Sequence, residues 1–272
     1  MSTPEPSIAR NLLAAYSLAL RELKRFIRQR NRVFGALAQP VLFWLIFGSG
    51  LSASFRPGGG ADAVSYTEYF FPGTVVLVLL FTAIFATISI IDDRNEGFMQ
   101  SVLVAPIPAY SIVLGKLVGT TTLAVGQALL VFVLAPIAGV QISLAPFLLA
   151  LPLLIVIAFG LTGLGFTIAW RMDSTQGYHA VMTAFLMPMW LLSGAFFPIA
   201  GLPIWLAWIV KLNPLTYGVA AFRSVMYIDS PSAAGDLPGL ALSLTVVVAF
   251  AVAMFFLSVH VARERAPGVS SV

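Results

Sequence analysis

Residues 70–108 read FFPGTVVLVLLFTAIFATISIIDDRNEGFMQSVLVAPIP, and the change of character at Asp92 decides the fold. The 22 residues 70–91 contain no Asp, Glu, Lys or Arg. A helix of that length rises about 33 Å, enough to cross the roughly 30 Å hydrocarbon core of a bilayer. The next six residues, Asp92-Asp93-Arg94-Asn95-Glu96-Gly97, carry four charges, so the chain leaves the apolar phase there. A short stretch with one apolar face (Phe98, Met99, Val102, Leu103) follows, and Ala105-Pro106-Ile107-Pro108 ends it.

Outward from this segment, five further apolar stretches are long enough to span: 33–51, 117–140, 146–170, 180–197 and 240–261. The expectation is an all-α polytopic membrane protein, a single transmembrane domain of six helices over 1–272. Composition agrees: 59% of the 272 residues are hydrophobic, 10% are charged and the mean hydropathy is +0.96. Soluble domains carry about 25% charged residues. With no cysteine in the chain, disulfides and thiolate metal sites are excluded.

Charge placement gives the orientation. Seven of the fifteen Lys and Arg lie between Arg10 and Arg32, beside the first span. With the N-terminus inside, the inner segments hold twelve basic residues and the outer segments three (Arg56, Lys211, Arg223). Such a bias marks cytoplasmic segments, so both termini are expected in the cytoplasm and the protein in the cell's inner membrane. The net charge of +4 then reflects a juxtamembrane face toward anionic lipid, with no nucleic-acid partner.

Residues 8–30 read as an amphipathic helix lying in the cytoplasmic interface, because Ile8, Leu12, Ala15, Tyr16, Ala19, Leu23, Phe26 and Ile27 recur at spacings of three and four. The first outer loop contains the helix-breaking run Arg56-Pro57-Gly58-Gly59-Gly60. In the outer region 198–238, the apolar run 204–210 is too short to cross and is expected on, or dipping into, the outer leaflet.

The absences narrow the function. No Asp, Glu, Lys or Arg lies within the six stretches, which argues against ion-coupled transport. Gln39 and Gln127 are more suited to stitching helices together. His179 and His260 lie at the ends of different spans, with no nucleophile or metal cluster to join. Gly115-Lys116 runs into Leu117 with no glycine-rich loop before it, so the chain lacks a phosphate loop, and any ATP must be hydrolysed by another chain. The segment 92–108 reads either as a solvated loop or as a short helix docking in a partner's groove. In the second reading Asp92, Asp93 and Glu96 would suit the positive end of that helix's dipole.

Asp93-Arg94-Asn95-Glu96-Gly97-Phe98, with Leu103, Ala105-Pro106-Ile107 and Gly115-Lys116, resembles the signature of type-2 ABC exporter permeases. These include the daunorubicin-resistance, nodulation-factor and polysaccharide or teichoic-acid export families. A second match is Leu192-Ser193-Gly194-Ala195-Phe196-Phe197-Pro198, then Leu212-Asn213-Pro214-Leu215-Thr216-Tyr217 and Arg223. The chain departs at Asp92 and Asn95, where many members carry a second Glu or a basic residue.

The resemblance implies two copies of this permease, or a close heterodimer, bound to two separate ABC ATPase subunits that hold ATP and Mg. It makes 92–104 the coupling helix, with Asp92, Asp93, Arg94, Glu96, Gly97, Phe98, Leu103 and Pro106 at the contact and α-helix 8–30 adding a second one. Pro198, Asn213, Pro214, Tyr217 and Arg223 become an outer gate or lid. Phe43, Phe47, Phe81, Phe85 and Phe185 are candidates for a substrate path, although lipid or neighbouring helices would suit them equally. The expected cargo is an amphipathic drug, lipid or lipid-linked glycan moved outward. A passive channel or uniporter, or a membrane enzyme, is the alternative.

Overall fold

The computed structural model describes residues 8–52, 65–105, 107–139, 143–199, 201–228 and 238–264. In chain order these form α1 (Ile8–Arg28), α2 (Arg30–Leu51), α3 (Tyr66–Asn95), α4 (Phe98–Val104), α5 (Ala109–Phe132), a 3-10 turn (Ala135–Ala138) and α6 (Leu144–Arg171). Then come α7 (Thr175–Trp190), a π-turn (Leu191–Ala195), α8 (Ile204–Leu212), α9 (Pro214–Met226) and α10 (Leu240–Glu264). Among the described residues there is no strand, and α2, α3, α5, α6 and α10 are long and apolar enough to cross a membrane.

The central helix is α3. It is apolar on every side, so it is buried along nearly its whole length, with α2, α5, α6, α7 and α9 packed around it. By contrast α2 and α10 leave most of their apolar surface exposed, as helices that border lipid do. At 30 residues α3 is about 45 Å long, longer than the hydrocarbon core is thick. One end of the bundle gathers charge around Asp92 and Asp93, and the other gathers the aromatic residues Tyr66, Tyr69, Phe70, Trp190 and Phe196.

Small residues set the closest contacts, as is usual between helices in lipid. Gly115 and Gly119 lie one turn apart on α5, facing Ala15 and Ala19 of α1. A Cβ at these glycines would stand 2.6 Å from Ala15 O and 2.9 Å from Ala19 O. On α6, Gly160 and Gly163 admit Phe250 and Met254 of α10 in the same way.

Several expectations need correction. The stretch 117–140 is not one helix: α5 starts at Ala109 and ends at Phe132, and the 3-10 turn containing Pro136 follows. Hydropathy counting broke at Lys116, whose charge is neutralised inside the bundle, and ran on through residues that turn. The stretch 180–197 likewise divides into α7, which begins at Thr175, and the π-turn, where Gly194 takes φ 78°. The helices also run beyond the charge-free stretches, so that α3 takes in Glu68, Asp92, Asp93 and Arg94 at its ends and α5 takes in Lys116.

Asp92 and Asp93 do not start a helix. They sit in the last turn of α3, where the helix dipole disfavours them, and α4 begins only after Gly97, at φ 76°. The run 56–60 and Pro106 lie outside the described residues.

Candidate functional site

Three cations that sequence reading left scattered, Arg21, Arg25 and Lys116, converge on Asp93 at the charged end, with Glu22 and Ser89 beside them. Lys116 Nζ donates to Asp93 Oδ2 and to Glu22 Oε2, each at 2.6 Å, and to Ser89 Oγ at 3.1 Å. Arg21 forms a two-pronged pair with Asp93 at 2.7 and 3.0 Å, and Arg25 Nη1 donates to the same carboxylate. Ser89 in turn donates to Glu22. Asp93 is 0% exposed, Glu22 1% and Lys116 3%, so these charges are removed from water and depend on one another.

Around this core lies a more open ring. Arg32 reaches Asp92 at 3.0 Å, and Arg25 lies 3.5 Å from Asp92 and 3.4 Å from Glu96. Arg21 also stacks its guanidinium 3.6 Å from the centre of the Phe98 ring, tying α1 to the first residue of α4. The Asp93 carboxylate, bonded directly to Arg21, raises that guanidinium further above its ordinary pKa. Arg94 points the other way, donating to Trp170 O at 2.8 Å and to Met172 O at the junction of α6 and α7. The short turn at residues 92–97 thus holds α1, α2, α5 and α6 to the central helix.

From this anchorage α4 projects. Met99 and Val102 are buried beneath it, whereas Gln100, Ser101 and Val104 face outward, Val104 at 81% exposure. Glu96 is exposed beside them.

At the aromatic end the expected gate residues are brought into one network, except Pro198, which is half-buried on the connection after the π-turn. Asn213 caps α9, its Oδ1 accepting from Leu215 N at 3.0 Å while Nδ2 donates to Met189 O at 2.6 Å. Pro214 occupies the first turn of α9, where its missing N–H costs nothing. Tyr217 donates to Lys211 O at 2.9 Å, linking α9 to α8. Arg223 is not a loop charge: it is 1% exposed and donates to Gly194 O at 3.0 Å and Tyr69 O at 3.2 Å, over the Tyr69 ring.

Residues missed in the sequence complete this network. Tyr66 donates to Phe196 O at 2.6 Å, Tyr69 to Gly194 O at 3.0 Å and Trp190 Nε1 to Gly73 O at 2.9 Å. The wide turn and the residue after it present the carbonyls of Gly194 and Phe196, and Tyr66, Tyr69 and Arg223 supply their donors. Gly73 is required by the approach itself, since a Cβ there would lie 2.7 Å from Ala195 Cβ.

The five phenylalanines do not form one cluster. Phe43 and Phe47 meet edge-on at 5.7 Å, and Phe47 continues to Phe196 at the aromatic end. Phe81 and Phe85 meet at 6.1 Å, and Phe85 touches the His179 ring. Phe185 is exposed on α7.

A helical bundle with five membrane-length apolar helices, bolted at one end by ion pairs and at the other by aromatic donors, defines a multi-pass membrane protein. The chain belongs to the ABC-2 type transporter family, whose profile matches residues 14–227. It is similar to Nodulation protein J of Sinorhizobium fredii, at 29% identity over 86% of each chain. It is also 27% identical to the putative transport permease ycf38 of Cyanophora paradoxa, over 73% of this chain and 70% of that one. The probable multidrug ABC transporter permease YbhR of Escherichia coli is 25% identical over 61% of this chain and 46% of its own length. The family and these relatives make this chain the membrane subunit of an ABC transporter.

Proposed function

We propose that this chain is the permease of an ATP-driven exporter, crossing the cytoplasmic membrane six times with both termini inside and working as a pair with two separate ATPase subunits. The sixth crossing is α7 together with the π-turn. The observation that carries the reading is α4: a seven-residue helix with an outward ridge, continuous through one glycine with the buried central helix. A partner that grips Glu96, Gln100, Ser101 and Val104 moves α3, and through Asp93 and Arg94 it moves α1, α5 and α6 as well. ATP and Mg belong to that partner.

At the opposite end, α8, α9 and the π-turn form the outer gate, dipping into the outer leaflet with Asn213, Pro214, Tyr217 and Arg223 as its fastenings. The cargo is an amphipathic drug, lipid or lipid-linked glycan. A relative named as a probable multidrug permease agrees with an amphipathic cargo, and the exposed apolar faces of α2 and α7 suit entry from lipid. Phe43, Phe47, Phe81, Phe85 and Phe185 remain the candidate path. The test is to co-express the chain with ABC ATPase subunits of the same organism, purify the complex and measure hydrolysis in nanodiscs. Copurification, with hydrolysis stimulated by amphipathic compounds, is the expected result. An isolated permease that never retains an ATPase would refute the reading.

A further inference from the structure

Three sectors divide the surface of α1. At 100° per residue, Ala15, Glu22 and Phe26 share the sector docked on α5, and all three are buried. Leu13, Tyr16 and Ile27 share a second sector that is apolar and exposed. Ser17, Lys24 and Arg28 fall in a third, bordered on one side by the apolar sector and on the other by Arg21 and Arg25. This third sector lines an open groove of about 640 Å³ formed by Ser17, Leu20, Arg21, Lys24, Arg25, Arg28 and Gln29.

The cations in that groove are not equivalent. Arg21 and Arg25 are committed to Asp93, Asp92 and Glu96. Lys24 and Arg28, one turn apart and exposed, have no acidic partner among the described residues. With α1 in the cytoplasmic interface, the proposed placement on which this inference rests, its exposed apolar sector is set into the bilayer surface and these two cations lie at headgroup depth.

We propose that the groove binds the phosphate of an anionic lipid of the adjoining leaflet, held by Lys24 and Arg28, with Gln29 supplying a neutral hydrogen bond. The bound phosphate adds negative charge beside Arg21 and Arg25, the same two residues that fasten α1 to Asp93. Lipid composition thereby bears on how firmly α1 is held to α3.

The test uses the full-length purified permease in mild detergent, titrated with phosphatidylglycerol and read by native mass spectrometry, with phosphatidylcholine and inorganic phosphate as separate arms. Wild type is expected to bind phosphatidylglycerol in preference to phosphatidylcholine. In the K24Q/R28Q variant that affinity falls roughly thirtyfold, the effect of two headgroup-level cations. The K24R/R28K variant retains it, and circular dichroism reports the same helix content for all three proteins. Equal phosphatidylglycerol binding by wild type and K24Q/R28Q overturns the proposal. So does complete displacement of the lipid by millimolar inorganic phosphate, which would make the groove a free-anion site. A K24Q/R28Q variant that keeps the lipid but no longer copurifies with an ATPase subunit would make the groove a protein contact, and that also overturns it.

Discussion

Lys116 is the residue on which most depends at the charged end. It is the shared partner of Glu22 and Asp93, and both carboxylates are buried. Lys116→Met leaves buried Glu22 without a counter-ion and strips one of three cations from Asp93, which keeps Arg21 and Arg25. Removal of one partner from a buried ion cluster costs about 3–5 kcal/mol. The expected outcome is a clear loss of thermal stability in detergent, followed by loss of helix signal on heating. Glu22→Gln in the same chain should restore part of it, because the stranded charge is then gone. An unchanged melting temperature in Lys116→Met would show that the cluster is not holding the bundle. The sequence contained a hint of this cluster: Glu22 is the sole acidic residue between positions 8 and 32, and Lys116 stands alone against an apolar run. Their pairing was illegible because the two are 94 residues apart and neither position repeats with any period. Arg223 was named from the sequence, but its partners were illegible, since they are backbone carbonyls, which leave no mark in a sequence.

Among the elements, α1 and α4 make separable predictions. Gly115→Leu drives a branched side chain into the Ala15 carbonyl, and backbone cannot yield as a side-chain tip can. Overpacking of this kind costs about 1–3 kcal/mol, so α1 should detach from α5 before the bundle unfolds. Limited proteolysis should then cut within 8–28 in the variant and spare it in wild type. For α4, Glu96→Lys reverses a charge beside Arg25, and Gly97→Val forces a β-branched residue to φ 76°, a strain of about 1–3 kcal/mol. Both are expected to leave the permease in the membrane while weakening retention of the ATPase or uncoupling its hydrolysis from transport. Normal copurification and normal stimulated hydrolysis in both variants would remove α4 from the coupling path.

The existence and approximate place of α1, α2, α3, α6 and α10 were readable from apolar length and periodicity. The ends of α5 and the break after α7 were not. Hydropathy cannot see that Lys116 is neutralised, nor that apolar residues around Pro136 and Gly194 leave the helical path.

For the whole molecule, the six-crossing topology is open to direct labelling, since the chain has no cysteine of its own. Single cysteines at Ser52 and Ser232 are expected to react with an impermeant maleimide in intact cells, and those at Ser101 and Ser270 only after the membrane is opened. Reaction of Ser101 from outside would overturn the orientation. The aromatic end is already dressed for a boundary with water: Trp205 and Trp208 of α8 are exposed, and Lys211 lies 5.5 Å from the Trp208 ring. The fastening of α1 carries a consequence in time. At synthesis rates of about 5–20 residues per second, the 94 residues between Glu22 and Lys116 take roughly 5–20 s to emerge from the ribosome. Throughout that interval Glu22 has no Lys116 to meet and Gly115 has not yet been made. Translation of α1 therefore runs well ahead of its locking, and in that interval its basic flank is free to meet the lipid surface.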